Sequence, residues 1–236
     1  MILFANFRSG WMNLLTCCSF ALAEFVCLSL AADAFSVKSI KKSPPSSFSE
    51  SIKSELGKTA VQVAKDGKPI YEVWLRKELP LKGAIDSPPR ALNAVGQTSL
   101  LGAISVLTDE RDYRDDELFS GDYTIRFGLR PEDGNHLGTS EHLYFAVLIE
   151  AKHDQELGKI TKSKQLVKAS SKSSANDHPV VLSLYPVGTG EAAGPSLHEP
   201  APEHKALRLS LPTKSKDGGA SPPIVFDLVI EGTADF

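Results

Sequence analysis

Between positions 131 and 142 this 236-residue chain concentrates the side chains that could do chemistry: Glu132, Asp133, Asn135, His136, Glu141 and His142. Two histidines and a carboxylate can hold zinc or a similar ion. His136 and His142 stand six positions apart, a workable separation across a loop but not a recognised metal spacing. The metal reading uses Asp133, His136 and His142, with Glu141 as another possible third ligand. The other reading is structural. Asp133-Gly134 suits the positive-φ positions of a turn, and the His136 imidazole can tie the loop to its own backbone. The segment 131–140 joins two strand-like runs and is ten residues long, where hairpin loops usually have two to five. Long loops on a rigid scaffold often contact ligands. The favoured expectation is the structural one, a metal-free loop held by His136, and Glu132, Asp133, Asn135, His136 and His142 are the residues through which it would meet a ligand or partner.

Other chemistries find little support. There is no Gly-x-Ser-x-Gly nucleophile motif, and Cys17, Cys18 and Cys27 all lie in the first 34 residues. Gly188-Thr189-Gly190 lacks the rest of a dinucleotide fingerprint and reads as plain loop. His153, His198 and His204 sit in polar contexts and are expected in solvent. Tyr71 and Trp74 could form a carbohydrate platform, but three positions apart they face opposite sides of a strand, so Trp74 is assigned to the core. The charged run 109–117 reads as a solvated connector, because Arg111 and Arg114 interrupt any calcium-loop pattern. No catalytic residue and no cofactor is assigned.

The elements around these residues are mostly strands. Residues 59–64 alternate with period two. Asp66-Gly67 then separates them from 70–75, which is a hairpin signal. Residues 99–107 form a compact apolar run. The clearest strand is 121–129, with Tyr123, Ile125, Phe127 and Leu129 on one face and Asp122, Thr124, Arg126 and Gly128 on the other. Such alternation marks a strand buried on one side. Further strands are expected over 142–149, 180–185, 206–211 and 224–230, and one surface helix over 162–171. Seven or so short strands with a single helix predict an antiparallel β-sandwich, immunoglobulin-like or similar. Gly121-x-Tyr123 suits a tyrosine corner, in which the phenol is tied to nearby backbone.

The first 34 residues predict where the domain works. Arg8 precedes an apolar run over 11–32, and Ala32-Asp33-Ala34 forms an A-x-A cleavage site. That is a signal peptide pattern, and Glu24 within the run argues against a permanent anchor. The expected organisation is a signal over 1–34, a flexible Ser/Lys/Pro-rich lead-in over 35–57 and one β-sandwich domain over 58–236. Removing Arg8, Glu24 and Asp33 from 26 basic and 29 acidic residues leaves 25 and 27, a net charge of −2. A nearly neutral chain lacks the basic footprint of a nucleic-acid binder. No second apolar run reaches 18 residues, so no span is expected after cleavage. The favoured expectation is a secreted or periplasmic, non-catalytic domain that binds an envelope protein or a glycan, and the alternative is a metal-binding protein or metal-dependent enzyme built on Asp133, His136 and His142.

One segment carries a resemblance. The run Tyr123-Thr124-Ile125-Arg126-Phe127-Gly128-Leu129-Arg130-Pro131-Glu132-Asp133-Gly134-Asn135-His136-Leu137-Gly138 resembles a set of uncharacterised exported proteins of planctomycete-type environmental bacteria. Their shared stretch reads Gly-x-Tyr-Thr-Leu-Arg-x-Gly-x-x-Pro-x-Asp-Gly-x-His-x-Gly. His178-Pro179-x-Val181-Leu182 and the Gly232-containing end strand are similar too, so the likeness covers about residues 58–232. It implies export and a β fold and transfers no activity. Relatives often carry an aromatic and an Arg/Asp pair after the loop, where this chain has Glu141-His142.

Overall fold

Alternation sets the strands of this domain, and turn chemistry sets where they reverse. The computed structural model describes residues 34–130, 142–190 and 194–234. In chain order the elements are β1 (Phe35–Lys41), α1 (Glu50–Lys53), β2 (Thr59–Lys65), β3 (Lys68–Leu75), β4 (Leu79–Pro80), β5 (Leu100–Val106), β6 (Glu110–Arg111), β7 (Glu117–Leu118), β8 (Gly121–Leu129), β9 (Tyr144–Glu150), α2 (Ser163–Ser170), β10 (Val180–Thr189), β11 (Ser196–His198), β12 (Lys205–Lys214) and β13 (Ala220–Glu231). Asp66 and Gly67 hold φ of 51° and 76°, the paired positive values of a two-residue primed turn. β2 and β3 pair antiparallel around it.

Strands hold 48% of the chain and helices 13%, so the fold is mainly β. Ten strands follow one hydrogen-bonded path, β1-β2-β3-β5-β8-β9-β10-β13-β12-β11, and β6 and β7 form a separate hairpin. β4 joins β12 in parallel, which makes the sheet mixed. The path curls into a half-barrel. Its two edge strands, β1 and β11, approach within 8 Å between Cα atoms. At the ends of β2 and β13, Lys65 Nζ meets Glu231 Oε2 at 2.7 Å. The expected two-layer antiparallel sandwich is thus a single curled sheet. Sheet twist accumulates over successive hairpins, so one long sheet can fold over its own inner face and bury alternate residues without a second sheet.

Three clusters fill the domain. The inner one includes Tyr71, Ile104, Phe127, Leu182 and Phe226. A 3-10 segment, Pro88–Ala94, adds Ala91, Leu92 and Ala94 to it, and Tyr144 Oη donates to Asn93 Oδ1 at 2.6 Å. On the outer face, Trp74, Leu100 and Ala103 pack with Phe48, Ile52 and Leu56. Elsewhere on that face Phe145, Val147, Val181 and Val229 pack with Tyr113, Ile160 and Leu166 of α2. Tyr71 and Trp74 lie in different clusters, and Trp74 is fully buried, as their spacing requires.

Several expectations need correction. The lead-in over 35–57 is folded: β1 pairs with β2 at seven positions, and Phe48, Ile52 and Leu56 are buried. Their four-residue spacing hides among polar neighbours, which is why composition reads as flexible. β8 spans the predicted residues but is buried on both faces. Arg126 Nε donates to Asp154 Oδ2 at 2.6 Å and Nη2 to Oδ1 at 2.8 Å, while Nη1 reaches Thr98 O at 2.8 Å. Thr124 Oγ1 joins at Asp154 Oδ2, 2.6 Å away. A polar face can be buried when every group finds such a partner. Tyr123 Oη donates to Phe119 O at 2.8 Å, the backbone tie foreseen for it. The run 109–117 is not simply solvated either, since Asp112 and Tyr113 are buried.

Candidate functional site

The outer face of the sheet is sheathed over β2, β3 and β5 by the segment around α1, and over β9 and β10 by α2 and Tyr113. Beyond them, at the end of β10 and across β13, β12 and β11, lies an open trough of about 480 Å³. Register builds its polar row. Tyr185 of β10 faces Asp227 of β13, Asp227 faces Arg208 of β12, and Arg208 faces Ser196 of β11. Their strand neighbours Leu184, Phe226, Leu228, Leu207 and Leu209 belong to the inner core. With a period of two, the row must therefore point outward. His198 falls on the same side of β11 as Ser196.

Arg208 Nε and Nη2 donate to the two oxygens of Asp227, each at 2.8 Å. The Arg208 side chain is 29% exposed and that of Asp227 only 3%. The hydrogen bond to Asp227 raises the guanidinium pKa further above its ordinary value, against a smaller desolvation effect. Arg208 stays cationic at every accessible pH. Ser196 Oγ and His198 Nε2 lie 2.8 Å apart. Val187 owes its position to a bulge: the register of β10 with β13 shifts between Pro186 and Gly188. The extra residue is pushed out, 39% exposed, and joins Val225 and Pro195 in the apolar part of the trough. Gly188 takes φ +147°, which a side chain would strain.

A second polar cluster is closed. Asp112 Oδ1 accepts from Arg114 N and Asp116 N at 2.8 and 3.1 Å, and Oδ2 from Val181 N at 2.9 Å. Burial pushes its pKa up to about 6, although the backbone donors pull the other way. Tyr113 N donates to Val181 O and Ala234 N to Tyr113 O. His204 Nδ1 lies 2.8 Å from Pro202 O, which can only accept, so Nδ1 carries the hydrogen. Nε2 lies 3.2 Å from Tyr113 Oη. This network holds the strand pair β6–β7 against β10 and the chain end.

The sequence candidates fall apart accordingly. Glu132, Asp133, Asn135, His136 and Glu141 lie outside the described residues. His142 sets its ring edge-on to Tyr185, with centroids 4.3 Å apart. Among the described residues no group of three or more His, Cys, Asp or Glu gathers around a common metal position. His204, expected in solvent, is 4% exposed. His198 is half-buried and lines the trough, as do Gly188, Thr189 and Gly190, read earlier as plain loop.

Arg208, Asp227 and Val187 were not singled out by sequence reasoning. A signal existed for two of them. Asp227 interrupts the apolar run 224–230, and Arg208 is the one charge inside the alternating run 206–211. A buried acid in a strand needs a cationic partner on a neighbouring strand. The fold is a mainly β, filled half-barrel, and the trough is an open concavity on its outer face. No protein-family model, no curated protein and no solved structure matches this chain.

Proposed function

We propose that this chain is an exported, non-catalytic binding domain, and that it meets an envelope component, glycan or partner protein at the trough over β10–β13. The observation that carries this reading is the unequal cover of the sheet. The interior is packed with side chains and much of the outer face is sheathed, while the trough combines exposed apolar Val187 with Arg208, Ser196 and His198. An apolar concavity with a few converging polar groups is the usual form of a binding site. Export is supported by the apolar run ending in Ala32-Asp33-Ala34 and by the likeness of residues 123–138 to exported proteins of planctomycete-type bacteria. Among the described residues no helix is long and apolar enough to cross a membrane.

A photo-cross-linking residue placed at Val187, and a control at the equally exposed Phe119, test the binding site in the native host. A saturable adduct from position 187, competed by excess unlabelled chain and missing from position 119, is expected. Equal adducts from both positions, or none, would count against the trough. Intact mass of the native protein should place its start near Phe35, and a chain retaining Met1 would contradict export with cleavage.

A further inference from the structure

A guanidinium has two forked edges, and Arg208 uses one of them. Nε and Nη2 go side-on to Asp227. The end-on edge, Nη1 with the second hydrogen of Nη2, donates to no described residue. Arg208 lines the trough and Asp227 does not. A ligand therefore meets the cationic end of the pair, with the carboxylate that fixes it screened behind.

The remaining lining narrows the ligand. Ser196, His198 and Thr189 supply short polar side chains, and Val187, Pro195 and Val225 supply apolar contact. Among the described residues no Trp, Tyr or Phe lines the trough to stack a neutral sugar ring. Behind the fork, both oxygens of Asp227 are occupied by Arg208. Among the described lining residues Arg208 brings a planar, charged fork and no carboxylate stands beside it. Carboxylates match that geometry with two coplanar acceptor oxygens.

We infer that the trough takes a small carboxylate-bearing molecule, its carboxylate forked on Nη1 and Nη2 of Arg208 and its body against Val187. The inference rests on the reading of the trough as the ligand surface. Asp227 offsets much of the local charge, so affinity comes from geometry and apolar contact together, and is modest for a single carboxylate.

Titration calorimetry of the full chain with hexanoate, glucuronate, hexanamide and glucose tests it. Hexanoate, glucuronate or both should bind saturably, at least about tenfold more tightly than the matching neutral compound, about 1.4 kcal/mol. Hexanoate alone points to an apolar acid, and glucuronate alone to a sugar acid. Val187→Glu, at an exposed position that tolerates the change, should abolish binding by setting a like charge beside the site. Arg208→Lys keeps the charge, loses the fork and should weaken binding about tenfold. Neutral compounds binding as well as acids, no acid binding at all, or full binding by Val187→Glu would each overturn the inference. If acids fail while cross-linking at position 187 remains saturable, only the ligand class falls. If both fail, the trough itself is the wrong surface.

Discussion

Two arginine–aspartate pairs in this domain share one geometry and have different surroundings. Arg126–Asp154 is sealed, each side chain 1% exposed, and every guanidinium nitrogen of Arg126 has a partner. Arg208–Asp227 makes the same bidentate contact, but its cation is 29% exposed and faces the trough. A buried charge pair persists only when every remaining donor is satisfied, and Arg126 meets that demand through Thr98 O and Leu157 O. Arg208 leaves its outer edge to solvent and ligands. The first pair locks β8 to the chain after β9. The second presents a fixed, charged fork.

The largest expected effect lies at the sealed pair. Arg126→Ala should cost about 3–5 kcal/mol, because it strands Asp154 uncompensated in the interior. Denaturant unfolding checks this. The double change Arg126→Met with Asp154→Leu should recover most of the loss, since a packed apolar pair can replace a buried ion pair. Without recovery, the network would matter beyond charge compensation. Phe127→Ala, next to Arg126 but pointing into the inner core, should also cost about 3–5 kcal/mol by leaving a cavity.

At the open pair the same truncation should do less. Arg208→Ala is expected to cost about 1–2 kcal/mol, between surface and buried ion pairs, because water can reach Asp227 once the guanidinium is gone. A loss as large as that of Arg126→Ala would make Arg208 a structural residue and remove the contrast between the two pairs.

A smaller effect concerns Asp112, which pins β6–β7 against β10, whose far end lines the trough. Its folded pKa is raised from 3.8 to about 6, so the folded state binds the proton more readily than the unfolded chain. Its contribution to stability is full below about pH 4 and is lost as pH rises through 6. Thermal unfolding from pH 4 to 7 should show that loss, and Asp112→Asn should flatten it. An unchanged slope in the variant would assign the pH dependence to other groups.

How much of this was legible in the sequence differs by element. Strands set by alternation, such as β8, and the helix α2 with its sparse apolar positions were readable to within a few residues. So was the Asp66-Gly67 turn, whose chemistry is local. β1 and α1 were hidden because their apolar residues are few and sit among Ser, Lys and Pro; β1 finds its place only by pairing with β2, and α1 only against Trp74. The curl into one sheet was not readable, since local alternation is the same in a sandwich and a barrel. The second buried face of β8 was missed because Arg126 looks like a solvent residue until Asp154 arrives from 28 positions away. The trough was missed for the same reason. Its row forms only when β10, β13, β12 and β11 come into register, although Asp227 inside an apolar run was a visible hint.

Side-chain NMR of the two arginines tests the central contrast most directly. With ¹⁵N-labelled arginine, the Nη signals of Arg208 and Arg126 can be followed in one sample during a hexanoate titration. The Arg208 signals should shift and saturate with the ligand, while those of Arg126 stay fixed. Arg126 moving together with Arg208, or Arg208 remaining still at concentrations where hexanoate binds, would contradict the assignment of Arg126 to structure and of Arg208 to recognition.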